Sequence, residues 1–451
     1  MKCAVSQLAG AQHSSACGSQ ATHFESYAFT VTAVGVDLGT TNSVVAVVSS
    51  RAASVVPGPD GKRLVPSVVS FQSQSVVVGE PALRGSGADT FYNVKRLIGR
   101  QFDEPDVQEE LSRAPFTAIA AESGGVLLRC PALGRSLAPE EVSAHVLRHL
   151  ASLALAAQPQ EAQTPVSAVV AVPARFTNAQ RMATRAAATQ AGLDVLRIIN
   201  EPTAAALAYG FGCPAGGGDG SVDFNDIEEQ LVLVFDLGGG TLDVSIVDVG
   251  CGIFHVLGSC GDARLGGSDF DAVVTTWMQQ QQRAAGMSEH SGAPSLELLA
   301  AAEAAKIALS EHQSTEVVLD VSRKAVLTRD ELQTMATRLL ERCATPLYQV
   351  MSDARRSDGS PVRADELAAV LLVGGATRMP AIRDLVKQIT GHEPLTGVDP
   401  DEVVALGCAI QAAALVGNID RGDAILLDET PEADDFRALM SKMQSRLKQP
   451  Q

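Results

Sequence analysis

The sequence lacks the closely spaced cysteines that a zinc site or a disulfide framework requires. Its eight cysteines are scattered from Cys3 to Cys408 with no C-x-x-C pair. We therefore expect buried or partly buried free thiols in a reducing compartment. The sequence also lacks any stretch of about 18 consecutive apolar residues, the length at which a helix spans a bilayer. It therefore predicts no membrane segment and no membrane partner.

Basic residues are few compared with acidic ones. The chain has 35 lysines and arginines against 52 aspartates and glutamates, a formal net charge of −17. A surface this acidic disfavours non-specific binding to nucleic acid or to an anionic membrane. An anionic ligand such as a nucleotide would therefore have to be bound by a few nearby side chains and backbone groups, and not by an extended positively charged surface.

The first thirty residues lack the features of common targeting signals. They contain no apolar segment of the secretory type, and Lys2 is their only lysine or arginine, which argues against a mitochondrial transit peptide. We expect residues 1–30 to be a disordered extension, with a weak plastid-type leader as the alternative. The expected compartment is the cytoplasm, with a plastid or another organelle as the alternative.

Two distant stretches of the chain share one pattern: an apolar run, a polar turn that opens with Asp-Leu-Gly, and a second apolar run. The first comprises Val31–Val36, Asp37-Leu-Gly-Thr-Thr-Asn-Ser43 and Val44–Val48. The second comprises Leu231–Phe235, Asp236-Leu-Gly-Gly-Gly-Thr241 and Leu242–Val249. Each pattern is typical of a β-hairpin. Because the whole unit recurs, the sequence predicts two similar lobes that each contribute one loop to a shared cleft.

Strand and helix patterns alternate along the rest of the chain, which predicts the α/β class. Apolar spacing, capping residues and alanine content predict helices that begin at Pro139 and cover Thr177–Gln190, Glu201–Tyr209 and Ser295–Ser310. Buried strands are predicted at Val166–Val172 and Val370–Val373. The glycine-rich stretch Gly212–Asn225 has no helical period and predicts a loop between the lobes.

The C-terminal residues have a different pattern. Asp423–Asp428 is a short apolar segment between acids, and Thr430 with Pro431 can begin a final helix. We expect the apolar face of that helix to contact another helix of the chain and not a partner protein. The face comprises Phe436, Leu439, Met440, Met443 and Leu447.

Four glycine-rich turns are candidate phosphate-binding loops, since glycine lacks a Cβ atom and lets backbone N–H groups approach a phosphate. They are Gly39-Thr40-Thr41-Asn42, Gly238-Gly239-Gly240-Thr241, Gly374-Gly375 and Leu265-Gly266-Gly267-Ser268-Asp269. None fits the P-loop pattern G-x-x-x-x-G-K-[ST] or the Rossmann pattern G-x-G-x-x-G in a βαβ unit. A P-loop enzyme and a dinucleotide dehydrogenase are therefore disfavoured.

Asp37 and Asp236 occupy matched positions in the two hairpins and would face one another if the lobes close. A single aspartate at a strand end is more often a turn or capping residue, but the pairing favours a shared role. Mg²⁺ prefers carboxylates and retained waters. The pair therefore predicts a water-shelled metal bound beside the phosphates.

Four longer segments resemble the signature segments of the 70 kDa heat-shock chaperones. They are Val36-Asp-Leu-Gly-Thr-Thr-Asn-Ser43, Ile199-Asn-Glu-Pro-Thr-Ala-Ala-Ala206, Asp236-Leu-Gly-Gly-Gly-Thr-Leu-Asp243 and Leu372-Val-Gly-Gly-Ala-Thr-Arg-Met-Pro380. Lys95-Arg-Leu-Ile-Gly-Arg100 and Val398-Asp-Pro-Asp-Glu402 are similar to further segments of that family. The resemblance runs in the right order from about Val34 to Val416, so it covers most of the chain.

By this resemblance the fold is an actin-like ATPase fold with two duplicated lobes around an ATP cleft. Lobe I would comprise residues 31–225 and 396–420, and lobe II residues 226–395. Residues 421–451 would form a linker-like segment and the C-terminal helix. We expect the residues after Asp428 to be too few for a substrate-binding domain. The segment Glu303–Ser314 is similar to that of the truncated microsomal member of the family, so the resemblance implies an ATPase-only member.

The resemblance also implies site residues and ligands: ATP or ADP, Mg²⁺ held through water by Asp37 and Asp236, and K⁺ as a further candidate ion. Phosphoryl transfer needs mainly positioning and charge stabilisation. Hydrolysis would be assisted by Lys95, which positions the attacking water, and by Glu201, Asp236 and Thr241. The phosphates would be held by Gly39, Thr40, Thr41, Asn42, Gly238, Gly239, Gly240, Gly266, Gly267 and Gly374. The nucleoside would be held by Glu303, Lys306, Ser310, Gly375, Arg378 and Asp401.

The chain departs from the family pattern in two places. Ile307 stands where the family usually has an arginine, so a cation stacked on adenine is lost and the affinity for adenosine should fall roughly three- to thirtyfold. Arg175 and Asn178 replace the usual Tyr and Asp near the surface that couples to a client domain, whereas Arg181 and Arg197 keep the expected types.

The first hypothesis is a slow Mg-dependent ATPase that acts in protein folding and quality control. J-domain co-chaperones and nucleotide exchange factors are the partners that the resemblance implies. The alternative is a non-hydrolysing nucleotide sensor that scaffolds another chaperone; intact Lys95, Glu201, Asp236 and Thr241 argue against it, and Ile307 argues mildly for it. A small-molecule kinase of the same superfamily is a third and much weaker hypothesis.

Overall fold

The computed structural model describes most of the chain between Ala33 and Leu427. The described residues are 33–49, 52–85, 87–157, 165–210, 230–250, 253–284, 294–319, 323–356, 358–395, 397, 399–417 and 425–427. Three predictions lie outside them: the extension of residues 1–30, the loop Gly212–Asn225 and the helix that begins near Pro431. Within the described ranges no helix is both long and apolar enough to cross a membrane.

Strands and helices alternate along the chain, so the predicted α/β class is confirmed. The strands are β1 Ala33–Asp37, β2 Asn42–Ser49, β3 Ala52–Val55, β4 Val65–Pro66, β5 Val69–Gln72, β6 Ser75–Val78, β7 Thr90–Phe91, β8 Ala118–Ala120, β9 Val126–Cys130, β10 Arg135–Leu137, β11 Val166–Val172, β12 Leu193–Asn200, β13 Gln230–Leu237, β14 Leu242–Gly250, β15 Ile253–Asp262, β16 Ser314–Val318, β17 Lys324–Thr328, β18 Leu367–Val373 and β19 Ile425–Leu427. The helices are α1 Pro105–Arg113, α2 Pro139–Ala157, α3 Asn178–Gln190, α4 Glu201–Gly210, α5 Gly267–Ala284, α6 Leu296–Glu311, α7 Arg329–Met335, α8 Thr337–Asp353, α9 Pro380–Thr390 and α10 Val403–Val416.

The first large sheet has the strand order β12-β11-β1-β2-β3, with β4 paired to β2. The hairpin of β1 and β2 is antiparallel, with Val36 opposite Val45, and β11 lies parallel to β1 on the other side. Every residue of β11 is buried, as expected of a parallel strand covered on both faces. We call the part of the fold built on this sheet the first lobe.

The second large sheet repeats this arrangement in the order β18-β13-β14-β15-β19. The predicted hairpin is present as β13 and β14, with Phe235 opposite Val244, and β18 lies parallel to β13. The part of the fold built on this sheet is the second lobe. Its last strand was not predicted: Ile425–Leu427, within the segment expected to be linker-like, pairs in parallel with the start of β15.

Two apolar helices, α4 and α10, lie between the sheets. Helix α10 packs on β1, β2 and α4, and α4 packs on β13, β14 and β15. The helices cross at a backbone contact, because a Cβ atom on Gly407 would lie 1.8 Å from the carbonyl oxygen of Ala204. A Cβ atom on Gly35 would lie 2.0 Å from the backbone nitrogen of Ala409. This central layer therefore packs on both sheets, with α10 against the first and α4 against the second.

Local capping residues fix the starts of two helices, α3 and α6. Thr177 caps α3: its hydroxyl accepts a hydrogen bond from the Gln180 backbone N–H, and the Gln180 side chain accepts one from the Thr177 backbone N–H. Ser295 caps α6 by accepting a hydrogen bond from the Leu298 backbone N–H. Both helix starts were predicted to within one residue.

Candidate functional site

A cleft of about 320 Å³ lies between the lobes, at the carboxyl ends of β1, β13 and β18. In open α/β sheets this edge is where ligands bind. Residues from separate parts of the chain line it together. The predicted site residues in its lining are Asp37, Gly39, Thr40, Thr41, Asn42, Lys95, Glu201, Asp236, Gly238, Gly239, Thr241, Gly267, Glu303, Lys306, Gly374, Gly375, Arg378 and Asp401.

Three predicted site residues do not line the cleft. A Cβ atom on Gly240 would lie 2.9 Å from Thr40 Oγ1, and one on Gly266 would lie 2.4 Å from the Gly240 nitrogen. Both glycines therefore lie against the loops and not in the open space. The Ser310 hydroxyl donates to the Lys306 carbonyl oxygen at 3.4 Å and faces a separate small cavity behind α6.

The two hairpin loops touch each other across the lobes. A Cβ atom on Gly239 would lie 2.0 Å from Thr41 Oγ1, so only glycine allows the loops to approach this closely. The Gly267 backbone N–H donates to the Gly238 carbonyl oxygen at 2.9 Å, and the Ser268 N–H donates to the Gly239 carbonyl oxygen at 2.9 Å. The start of α5 is thus fixed to the second loop, and backbone groups from both lobes meet at one place.

A buried ion pair stands at the inner end of the cleft. Lys95, on a short 3₁₀ turn of residues Val94–Arg96, donates from Nζ to Oε1 of Glu201, the first residue of α4, at 2.7 Å. Each side chain is 8% exposed. Burial alone would lower the pKa of Lys95, but Glu201, Asp37 and Asp236 together raise it above its ordinary value. Lys95 is therefore a cation that faces three carboxyl groups.

The two hairpin aspartates are difficult to ionise where they stand. Burial raises the pKa of Asp37 to about 7, with Glu201 adding to the shift and Lys95 opposing it. Burial, followed by the charge of Glu201, also raises the pKa of Asp236 well above its usual value. A cation placed beside both carboxylates would relieve this cost.

Asp243 is a third buried carboxyl group, which sequence reasoning did not assign to the site. It lies opposite Asp236 in the β13–β14 ladder and is 3% exposed. Its Oδ1 atom accepts no hydrogen bond from the described protein groups. Burial and then Glu201 raise its pKa to about 7, although Arg175 and Lys95 oppose the shift. The sequence feature that could have identified Asp243 is its position at the end of the second hairpin motif, Asp236–Asp243.

We predict that Asp243→Asn stabilises the nucleotide-free protein at pH 8. Because the folded-state pKa of Asp243 lies above its ordinary value, the folded protein binds a proton between about pH 4 and 7 that the unfolded chain releases. The titration of Asp243 therefore makes the free energy of unfolding fall as pH rises through that window. Asparagine does not titrate, so at pH 8 the variant should be more stable than the parent, by a few kcal/mol at most. Urea unfolding of both proteins from pH 5 to 8 measures it.

The matched control for that experiment is Asp353→Asn, at an exposed aspartate that ends α8. Its stability should follow that of the parent protein at every pH. A constant difference between Asp243→Asn and the parent from pH 5 to 8 would contradict the prediction.

The outer part of the cleft contains two cations that are already paired. Lys306 Nζ lies 2.8 Å from Asp271 Oδ1, and burial raises the pKa of Asp271 to about 6 although Lys306 opposes the shift. Arg378 donates to Asp401 Oδ2 from Nε at 2.9 Å and from Nη2 at 2.8 Å. Ile307 lines the same part of the cleft and is 56% exposed. The sequence did not single out Asp271.

Comparison with known proteins identifies one family. The family model described as "Hsp70 protein" matches residues 33–448. Chaperone protein dnaK3 of Thermosynechococcus vestitus is 43% identical over 413 residues, which cover 88% of this chain and 57% of that relative. Chaperone protein DnaK of Deinococcus radiodurans is 41% identical over 415 residues, which cover 88% of this chain and 62% of the relative.

A plant relative matches to the same degree. The protein named heat shock 70 kDa protein 7, chloroplastic, of Arabidopsis thaliana is 42% identical over 413 residues, which cover 88% of this chain and 54% of the relative. The chain thus spans between about half and two thirds of the length of these curated relatives.

Proposed function

This chain belongs to the Hsp70 family and has its actin-like ATPase fold, and on that premise we propose that it binds ATP and hydrolyses it slowly. The observation that carries the proposal is the cleft, where the two hairpin loops meet beside the Lys95–Glu201 pair. Glycine loops supply backbone donors for phosphates, and a buried cation can stabilise the charge that develops during phosphoryl transfer.

The proposed roles follow from position in the cleft. Lys95, held by Glu201, would stabilise charge on the γ-phosphate and position the attacking water. Asp236 and Thr241 would assist at the second loop, while Thr40 and Thr41 would hold phosphate oxygens. The nucleoside would lie toward α6 and the Gly374–Arg378 turn, where Glu303, Lys306 and Asp401 line the cleft.

We also propose that Mg²⁺ accompanies the nucleotide. Within the described ranges no cluster of three or more His, Cys, Asp or Glu residues could hold a metal ion by itself. Asp37 and Asp236 suit a metal ion that keeps several water ligands and is also bound by phosphate oxygens of the nucleotide, since Mg²⁺ rarely occupies an all-protein site. A bound Mg²⁺ would neutralise phosphate charge; K⁺ is a further candidate ion.

The biological setting is proposed from the relatives. Their names describe chaperones and, in one case, a chloroplast protein. We propose a role in protein folding, with J-domain co-chaperones and nucleotide exchange factors as partners, in the cytoplasm or a plastid. We propose the same domain boundaries as the sequence predicts: lobe I at residues 31–225 and 396–420, lobe II at residues 226–395, and a C-terminal segment at residues 421–451.

The test of the proposed function is single-turnover hydrolysis of ATP with Mg²⁺ and K⁺, run beside an equilibrium binding assay. Slow, Mg-dependent release of phosphate from bound ATP supports an ATPase. Binding without hydrolysis supports the alternative, a nucleotide-sensing scaffold for another chaperone. Absence of binding contradicts both.

We predict that Ile307→Arg raises the affinity for ATP. The isoleucine side chain is largely exposed at the cleft, so an arginine can be accommodated and its guanidinium can stack on the base. A cation–π contact contributes about 0.5–2 kcal/mol, which corresponds to roughly three- to thirtyfold tighter binding. Titration with a fluorescent ATP analogue measures it.

The control for this prediction is Val326→Arg, at an equally exposed valine on β17. It adds the same charge away from the cleft and should leave the affinity unchanged. Equal gains in both variants would show that net charge, and not stacking on the base, is responsible.

A further inference from the structure

Two arginines cross between the lobes in opposite directions behind the cleft. Both contacts involve residues Gly261–Arg264, which end β15 and lead toward α5. We call this segment the rear turn; Arg175 binds to it, and Arg264 belongs to it. Arg175 of the first lobe donates from Nη1 to the Gly261 carbonyl oxygen at 2.8 Å. Arg264 of the second lobe donates from Nη1 to Glu109 Oε2 on α1 at 2.8 Å and lies 3.1 Å from Asp106 Oδ1. Each lobe therefore supplies one arginine that binds the other lobe.

The rear turn requires a glycine at position 261 because the β14 backbone lies against it, and Arg175 packs close to the same glycine. A Cβ atom on Gly261 would lie 2.2 Å from the Leu242 carbonyl oxygen and 3.2 Å from Arg175 Cδ. The arginine side chain therefore passes directly over the glycine backbone.

The rear turn is connected to the cleft through the chain that follows it. Residues 265–268 follow it, and the Gly267 and Ser268 N–H groups donate hydrogen bonds to the carbonyl oxygens of Gly238 and Gly239. A movement of the rear turn away from the first lobe would therefore pull on the second glycine loop. The rear contacts are therefore joined to the second glycine loop through the four residues 265–268.

The lobes are not packed continuously at this place. A cavity of about 220 Å³ lies on one side of the rear turn, lined by Arg175, Thr241 and Ala263 among others. A second cavity of about 260 Å³ lies on the other side, lined by Glu109, Ala263 and Arg264 among others. Open space therefore flanks the turn on both sides. The two arginines share the local contact between the lobes with Arg96 of the first lobe, which donates to Asp269 Oδ2 at 3.2 Å.

We propose that the rear turn keeps the cleft closed on a bound nucleotide, and that Arg175 and Arg264 set the rate at which the nucleotide leaves. They act as positioning residues and do not touch the reacting groups. The inference rests on the proposed function, because it concerns release from the same cleft.

The experiment compares the release of a fluorescent ADP, N-methylanthraniloyl-ADP with Mg²⁺, from the full chain and its variants. We expect Arg175→Ala and Arg264→Ala each to release it about twofold to fivefold faster, the range that exposed charged contacts produce. The double variant should release it about tenfold faster. Arg264→Lys, which keeps the charge, should stay near the parent rate.

Salt and a matched variant separate this role from a general loss of stability. Release from the parent should accelerate with added salt more than release from Arg264→Ala, because salt screens exposed ion pairs. Arg135→Ala removes an ion pair of similar exposure within the first lobe, to Glu141, and should behave like the parent. Parent-like release from the double variant would overturn the proposal.

If the parent protein binds no fluorescent ADP, the proposed function fails, and amide hydrogen exchange without nucleotide still decides the role of the rear turn. Faster exchange in the β14–β15 amides of the double variant than of the parent would support the lobe contact. Equal exchange in the two proteins would overturn it.

Discussion

Lys95→Ala is expected to lower the single-turnover rate of ATP hydrolysis by about a hundredfold to a thousandfold while ATP still binds. Lys95 is the one buried cation that faces Glu201, Asp37 and Asp236 together among the described residues. Removing one preorganised charge or donor from a site of charge development has effects of this size. Binding should persist, because the two glycine loops supply the phosphate contacts through backbone groups.

The measurement is release of phosphate from a preformed complex, with the affinity for ATP determined in parallel. Lys324→Ala is the matched control, since it removes an exposed lysine paired with Glu316 on a peripheral hairpin. Because Lys95→Ala also leaves Glu201 buried without its partner, thermal unfolding must show that the variant is folded at the assay temperature. A folded variant that hydrolyses ATP at the parent rate would rule out the role proposed for Lys95.

Gly407→Ala is expected to destabilise the whole fold by about 3 kcal/mol or more. The added Cβ atom would lie 1.8 Å from the Ala204 carbonyl oxygen, and this neighbour is backbone, which cannot rotate away. Overpacking of a core costs about 1–3 kcal/mol where side chains can adjust. Here α4 and α10 would have to separate, and both sheets pack on these helices.

Urea unfolding of Gly407→Ala and of Gly397→Ala measures the effect. Nothing lies within 4 Å of a Cβ atom built on Gly397, so that variant makes the same chemical change without the contact. Equal stability of the two variants would mean that the helices do not cross at the distance seen here.

The hairpins and the fold class were predictable because their signal is local. Short apolar runs on either side of the polar turns at Asp37 and Asp236 indicate buried strands, and the repetition of the unit implies two lobes. The helix starts at Asn178 and Leu296 were predictable for the same reason, since the capping residues Thr177 and Ser295 directly precede them.

The central layer was harder to predict. Helix α10 is apolar on every side and lacks the amphipathic period by which surface helices are recognised. Its contact with α4 depends on Gly407 and Ala204, which are far apart in the chain. A close approach of two backbones leaves no pattern in either segment alone.

The candidate site was predictable only as far as sequence motifs extend. Lys95 and Glu201 were named because each lies in a recognisable segment, whereas Asp271 and Asp243 were not assigned. Their importance comes from burial and from neighbours supplied by other elements. The roles of all these residues stay predictions until activity is measured.

The short strand β19 has a consequence for the behaviour of the chain in concentrated solution. Its three residues pair with Ile253–His255 and so occupy part of the outer edge of the second sheet. An uncovered strand edge offers unpaired N–H and C=O groups to other molecules and promotes aggregation. The segment expected to be linker-like thus leaves this sheet with a three-residue edge strand at that position, and very short edge strands are one way in which natural sheets limit pairing with other chains.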